Sequence, residues 1–554
     1  MRRLAWVAAG AVAAAVFVTY GHRLGVEPVL AHDDYEYTYP SFSFAAHGHY
    51  GSPLLGPGYN IERRTYSLTV YYYATVHGLL IRALGAGVEA IPLANLLHFA
   101  LLAGLGVFFL LRRDAWLGAA VFLAGLVGDT RMVEAARHGR PEMTAGFCLS
   151  LACVALWPRV SEGRRSALLL LLASAALAAG TLSHTSVAFF GLALAAALAL
   201  PLGPSLRKVD VTAVLAPFAG VAFLGAYFVL TDSLANVRGQ MAPGAGDVML
   251  LQLASLARAG DLRALGALAA EFLRTHGSVA SWAVAAAALL APRVVDDTAA
   301  RAARFFGALY VLFFGVNFVF LKHFVTGYQC LYLGTFYLAL AWTVEAAAAG
   351  AARRWGGRAA LSLRAAGALI ALGLAISGAA GFRRSLDDAP RAPYSRVRSA
   401  LVAVLRDAGA IRGDRVFVPS PFGFHLTDDF TVRAQPAPKY YRGRWSPAFR
   451  DGLRAIWGDA ALARHKPAYL CHAMGLAYTR PKWVMAWDSD YGVMWPWWSF
   501  LRRFEGLPGM EIREAARAEI PWPYGGTVRV YRLDLSDAVE SLDRSVNSAQ
   551  APCP

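Results

Sequence analysis

The sequence predicts a polytopic α-helical membrane protein of about eleven transmembrane helices, with a small extracytoplasmic α/β domain at its C-terminal end. Three observations predict it. Of the 554 residues, 57% are hydrophobic and only 16% are charged, a balance too apolar for a soluble enzyme of this length. The apolar residues are gathered into runs of spanning or near-spanning length. Lys and Arg occupy alternate gaps between those runs, the pattern expected of cytoplasmic turns.

The runs lie at about 4–20, 89–111, 115–130, 142–157, 166–183, 185–202, 209–230, 276–291, 302–321, 328–350 and 360–381. The first, in MRRLAWVAAGAVAAAVFVTYG, has the charged and apolar regions of a secretory signal. The small-residue cleavage position after Ala31 lies about a dozen residues beyond it, so the segment reads as an uncleaved first helix. Arg2/Arg3, Arg112/Arg113, Arg159/Arg164/Arg165, Arg207/Lys208, Arg293/Arg301/Arg304 and Arg353/Arg354/Arg358 fall on one side, whereas the opposite turn around His184 has neither Lys nor Arg. The amino terminus is therefore expected in the cytoplasm of a cell with this protein in its inner (plasma) membrane. An odd number of spans puts the tail outside.

Two regions follow from this reading: a transmembrane catalytic region over 1–382, with a long extracytoplasmic first loop at 21–88, and an extracytoplasmic domain over 383–554. The segments 131–141 and 231–275 belong on the same outer face. The tail is charged and rich in Trp and Pro, with strand-like RVFVPS and TVRVYRL and a helical YSRVRSALVAVLRDAGA. In the first loop, RRTYSLTVYYYATVHGLLIRALG reads as helix lying in the interface plane.

The net charge of +16 invites a nucleic-acid partner, but the arginines are accounted for by topology, and none is expected. The five cysteines form no C-x-x-C pair and indicate no zinc site. No Walker A loop, G-x-S-x-G elbow, H-E-x-x-H or dinucleotide fingerprint is present, which argues against nucleotide-driven chemistry.

The polar chemistry is concentrated on the predicted outer face. Acidic groups beside a bilayer are costly unless hydrated, paired or liganded, so HDDYEYTYP at residues 32–40, with Asp33, Asp34 and Glu36, is a candidate site. The bland alternative is a solvated turn. A second cluster is RMVEAARHGRPEMTAGF, with Arg131, Glu134, Arg137, Arg140 and Glu142 where the fourth helix begins. Pro141 suits a first helical turn and Glu142 its positive end. Cations grouped outside run against the topological trend, and a phosphate-bearing lipid explains them. His184, in TLSHTSVAFF, stands at an outer turn. Lys322 and His323, in FLKHFVTGYQCLYLGTFY, end the ninth helix, an arrangement an interfacial Lys/Tyr belt also explains.

Asp33, Asp34 and Tyr37 form D-D-x-x-Y, Gly48 and Tyr50 follow, and Glu62-Arg63 closes the series. Gly48 stands 15 residues after Asp33, and Arg63 30 residues after it. This series resembles the first extracytoplasmic loop of GT-C glycosyltransferases, in the branch of protein O-mannosyltransferases and lipid A aminoarabinose transferases. Arg140-Pro141-Glu142 resembles that family's R-P-[DE]; Asp34 departs from its usual Glu, and the proline after the basic residue is absent. The resemblance covers roughly residues 1–350 in architecture and leaves the tail uncovered.

What the resemblance implies is a GT-C-like enzyme that moves a sugar, with inversion, from a polyprenyl-phosphate carrier to an extracytoplasmic lipid, glycan or protein acceptor. Asp33 is implied as the base or orienting group for the acceptor, with Asp34 assisting; Glu142 is placed in the catalytic set and Tyr37 and His184 beside it. Arg63, Arg137, Arg140, Lys322 and His323 are the candidates for the lipid phosphate. No certain cofactor is implied; a divalent metal ion, if used, is expected on Asp33 and Asp34. The rival readings are a lipid or polysaccharide transporter and a polysaccharide ligase or polymerase. Transporters keep charged or broken-helix sites near the midplane.

Overall fold

The structure is a computed structural model. It describes residues 2–22, 32–48, 50, 71–85, 90–162, 166–199, 222, 225, 226, 249–276, 279–290, 298–320, 326–388, 394–419, 422–435, 447–464, 467–488, 507–521 and 525–542. Two compact units divide the chain: Met1–His22, Thr69–Tyr73 and Pro92–Asp388 form one, and Arg23–Leu68, Ala74–Ile91 and Ala389–Pro554 the other.

The first unit is helical throughout its described residues. Its elements are α1 (Arg2–Gly21), the start of α3 (Tyr71–Leu84), α4 (Leu93–Leu111), α5 (Trp116–Gly128), α6 (Thr130–Arg137), α7 (Glu142–Glu162), α8 (Ala167–Thr181) and α9 (Val187–Ala199). They continue with α10 (Met249–Arg258), α11 (Leu262–His276), α12 (Val279–Leu290), α13 (Thr298–Phe320), α14 (Cys330–Trp355) and α15 (Gly357–Asp388). Ten of the eleven apolar runs carry a helix, and of the run at 209–230 only residues 222, 225 and 226 are described. Among the described residues five helices, α1, α4, α13, α14 and α15, are long and apolar enough to cross a membrane, or six if the bent pair α5–α6 is one span. Helices α8, α9 and α12 have 15, 13 and 12 residues, roughly 18–23 Å at 1.5 Å per residue, short of a hydrocarbon core of about 30 Å.

Backbone N–H and C=O groups have no water partner in a bilayer, which is why apolar runs take up helix there. Helices α4 and α14 are mostly buried inside the unit, while α1 and α15 turn Trp6, Val7, Leu361 and Leu369 outward. Small residues let helices touch where hydrophobicity supplies no drive between them. A methyl group at Gly378 in α15 would collide with the Gly128 backbone of α5, and one at Gly146 in α7 would lie 2.5 Å from the Cys330 carbonyl oxygen at the start of α14.

In the second unit, the stretch read as a loop is helical: α2 runs His32–His47 and contains HDDYEYTYP. It is not a solvated turn, because Asp34 is fully buried, and Thr38 Oγ1 donates to the Asp34 carbonyl at 2.9 Å. The second part of α3 packs against it. Arg82 Nε and Nη2 donate to the Ala45 carbonyl at 3.2 and 3.1 Å, and the Phe44 and Tyr50 rings stack at 5.0 Å.

The tail forms a five-stranded sheet in the order β2-β1-β3-β5-β4, from β1 (Arg415–Pro419), β2 (Thr431–Gln435), β3 (Trp483–Asp488), β4 (Met510–Glu519) and β5 (Thr527–Leu535). RVFVPS lies on β1 and TVRVYRL on β5. The first three strands in that order are parallel; β5 pairs antiparallel with both β3 and β4. Parallel strands need covering helices, and Leu453, Trp457 and Met474 from helices Pro447–Trp457 and Pro467–Thr479 pack on Phe417, Val484 and Leu533.

Candidate active site

The site is assembled where α5, α6 and α7 follow one another at one end of α4. Asp129 has extended backbone angles and caps α6 by accepting the Arg131 N–H at 2.9 Å, so the chain bends by 62° between α5 and α6. Arg131 folds back on its own cap: Nε donates to Asp129 Oδ1 at 2.9 Å and Nη2 to Oδ2 at 2.6 Å. Tyr337 Oη donates to Oδ2 at 2.6 Å, and Arg131 Nη1 donates to Gln329 Oε1. A buried carboxylate in an Arg fork is thereby tied to α14.

The next turn is held by its carbonyls. Asn95 Nδ2, one turn into α4, donates to the carbonyls of His138, at 2.7 Å, and Arg140; Tyr73 Oη donates to that of Gly139 at 2.6 Å. The other face of the Asn95 amide accepts from Thr144 N at 3.3 Å and Thr144 Oγ1 at 2.9 Å. His98 Nδ1 stands 2.6 Å from the Ala94 carbonyl and 3.1 Å from Thr144 Oγ1. One buried amide thus serves both the turn and an orphan N–H of the first turn of α7.

What this turn presents is Arg140 and Glu142. Arg140 Nε and Nη2 donate to Glu142 Oε1 at 3.0 and 2.6 Å, with the side chains 27% and 3% exposed. Glu142 Oε2 is buried and has no hydrogen-bond partner among the described residues. A carboxylate with one oxygen in a guanidinium fork and the other bare is an acceptor waiting for a donor. His184, half-buried in the turn between α8 and α9, takes the Ser186 N–H on Nδ1 at 3.4 Å, and its ring meets Tyr328 edge-on at 5.2 Å. Burial lowers its pKa below the ordinary imidazole value; the Glu142 charge opposes that and the Arg140 charge reinforces it.

Of the residues singled out from sequence, Arg140, Glu142 and His184 are therefore within electrostatic reach of one another. Arg137 is buried nearby in the chain; its Nη2 donates to the His22 carbonyl at 3.4 Å and its guanidinium faces the Phe382 ring at 5.2 Å. Asp34 and Tyr37 belong to the second unit, the latter half-buried. Arg63, Lys322, His323 and the Asp33 side chain lie outside the described residues. No group of three or more His, Cys, Asp or Glu that would hold a metal occurs among the described residues.

Sequence reasoning missed Asp129, Tyr337, Gln329, Asn95, His98 and Thr144. The polar pair Asn95 and His98, three residues apart in an otherwise apolar run, was the available signal.

No family model matches the chain, and no curated protein matches it. Solved structures do. The crystal structure of ArnT from Cupriavidus metallidurans in the apo state matches with a TM-score of 0.55 at 13% identity, covering 96% of this chain and 98% of that one. The same protein bound to undecaprenyl phosphate matches with a TM-score of 0.50 at 13% identity and the same coverage. The cryo-EM structure of the arabinofuranosyltransferase AftD from Mycobacteria matches with a TM-score of 0.47 at 17% identity, over 97% of this chain and 40% of that one. The likeness to ArnT shows the fold: this chain adopts the ArnT fold, and with its apolar helices that makes it a multi-pass membrane protein.

Proposed function

We propose that this protein is a membrane glycosyltransferase that moves a sugar from a polyprenyl-phosphate carrier to an acceptor at the extracytoplasmic face. One observation carries the reading: in a chain with the ArnT fold, the Arg-Pro-Glu turn is braced by Asn95, Tyr73 and Thr144 to present a half-buried Arg140 paired with a buried Glu142, whose second carboxylate oxygen is unpartnered among the described residues, with His184 within the pair's electrostatic reach. ArnT itself has been solved with undecaprenyl phosphate bound, which supports a polyprenyl phosphate as the lipid.

In this reading the chain crosses the inner membrane about eleven times, the short α8, α9 and α12 doing so where the bilayer thins locally, with the amino terminus in the cytoplasm and the tail outside. The departing carrier phosphate develops charge that Arg140, helped by Arg63, Arg137, Lys322 and His323, stabilises. Glu142 accepts a hydrogen bond from the donor sugar or holds Arg140 in place for the phosphate. Asp33 removes the acceptor hydroxyl's proton, and Asp34, which is buried, assists it or holds a divalent ion with it if one is used.

The test is a reconstituted assay with a polyprenyl-phosphate sugar, after lipid analysis of a deletion strain has identified the accumulated donor and the missing glycan. Asp33→Asn keeps size and shape but loses the charge, and is expected to slow transfer to a hydroxyl acceptor by roughly 10²–10⁴-fold while leaving donor binding intact. Transfer at the wild-type rate by that variant removes Asp33 from the mechanism. Absence of any accumulated lipid-linked sugar in the deletion strain overturns the proposed activity.

A further inference from the structure

At the other end of α4 from this site lies a cavity of about 640 Å³ between α1, α4, α7 and α8. That volume is within the range of about 300–1,000 Å³ of ligand sites. Its walls are hydrocarbon and aromatic, among them Trp6, Leu101, Phe108, Leu151 and Val154, and its far end is closed by Arg112 and Arg113. Trp6 and Leu101 are exposed, so the wall opens to the surroundings of the helices. Trp6 packs on Phe108 with ring centroids 4.0 Å apart. The Arg112 guanidinium sits 5.5 Å from the same Phe108 ring, and that of Arg113 4.3 Å from Phe109.

Arg112 is exposed and makes no ion pair with a carboxylate among the described residues. The helix terminus attracts cations weakly, and the positive-inside trend places arginines on this side. Neither explains an apolar groove that ends on two of them. We propose that the groove holds an acyl chain of an anionic glycerophospholipid, whose phosphate lies against Arg112 and Arg113 in the leaflet at that end of α4. The charge of the groove's end identifies the occupant. A polyprenyl tail running down from the Arg140 site would bring only hydrocarbon to the two guanidiniums. A carrier with its phosphate there would be roughly 25 Å from Asn95, seventeen residues back along α4. A zwitterionic lipid would bring a compensating cation.

Each basic side chain beside an anionic headgroup contributes about a factor of five in affinity, so two contribute on the order of thirtyfold. The full-length protein, stripped of lipid in detergent and reloaded with phosphatidylglycerol, phosphatidylcholine or undecaprenyl phosphate, is read by native mass spectrometry. Retention of about one phosphatidylglycerol per chain in preference to the other two is expected. An Arg112→Gln/Arg113→Gln variant should bind it on the order of thirtyfold more weakly, and Arg112→Lys/Arg113→Lys should retain it with the topology charge unchanged. Gly10 lines the groove and has open space where its side chain would project, so Gly10→Leu fills the groove while sparing both arginines and should expel the lipid. Equal retention of phosphatidylcholine, displacement by undecaprenyl phosphate, or undiminished binding by the double glutamine or Gly10→Leu variant overturns the proposal.

Discussion

Replacing Arg140 by alanine should strand a buried carboxylate. In the folded chain Glu142 is 3% exposed, its Oε1 takes both resolved guanidinium bonds at 2.6 and 3.0 Å, and its Oε2 has no partner among the described residues. Removing one member of a buried pair costs about 3–5 kcal/mol, because the remaining charge loses its hydrogen-bonded partner. Arg140 is itself 27% exposed, so water fills part of the gap and the cost belongs near the lower limit, about 3 kcal/mol. Glu142→Gln leaves the partly solvated arginine behind and should cost only about 1 kcal/mol. The double variant Arg140→Ala/Glu142→Gln should recover most of what Arg140→Ala loses, the signature of coupling. Apparent thermal midpoints in detergent rank the variants; Arg140→Ala should fall by about 5 °C and the double variant by much less. A wild-type midpoint for Arg140→Ala, or a double variant as unstable as the two single losses added, refutes the pairing. The same proteins assayed with donor separate stability from function: under the proposed reaction Arg140→Ala raises donor KM even at temperatures where it is fully folded.

Three further outcomes follow from particular residues. His425 is buried in the tail beside the Arg398 cation, and burial first, then that charge, lowers its pKa to about 3, below an unfolded value of about 6.5. The fold therefore prefers the neutral ring. The stabilisation is complete above pH 6.5 and is lost as the pH falls toward 3, by at most about 1.4 kcal/mol per pH unit; His425→Leu should flatten the acid limb of a denaturation series, and an unchanged limb discards the assignment. Gly146→Val should disrupt the contact of α7 with the start of α14, costing on the order of 1–3 kcal/mol; a variant with wild-type yield and midpoint contradicts that contact. Alkaline-phosphatase fusions after Arg113 should be inactive and fusions after Asp388 active, the reverse result inverting the proposed orientation.

The sequence by itself determined the solvent and the class of fold. A hydrocarbon environment leaves helix as the choice for long apolar runs, so ten of the eleven runs are legible as helices, with ends that differ by several residues. The strands at 415–419 and 527–535 were legible as well, from β-branched residues between breakers. The polar cluster at 131–142 was legible because cations there oppose the topological bias, but not its wiring. The tertiary structure adds that Arg140 and Arg131 each meet a carboxylate two residues away. Only the tertiary structure decided that Tyr337, 208 residues from Asp129 in sequence, completes one pair, and that Asn95, from a different apolar run, holds the turn bearing the other. It also decided that HDDYEYTYP is helix with Asp34 buried. The physical reason is the range of the interactions. Solvent preference and helix formation act through a residue's own neighbourhood, whereas the state of a buried charge depends on which distant side chain the packing of whole helices brings within about 3 Å of it.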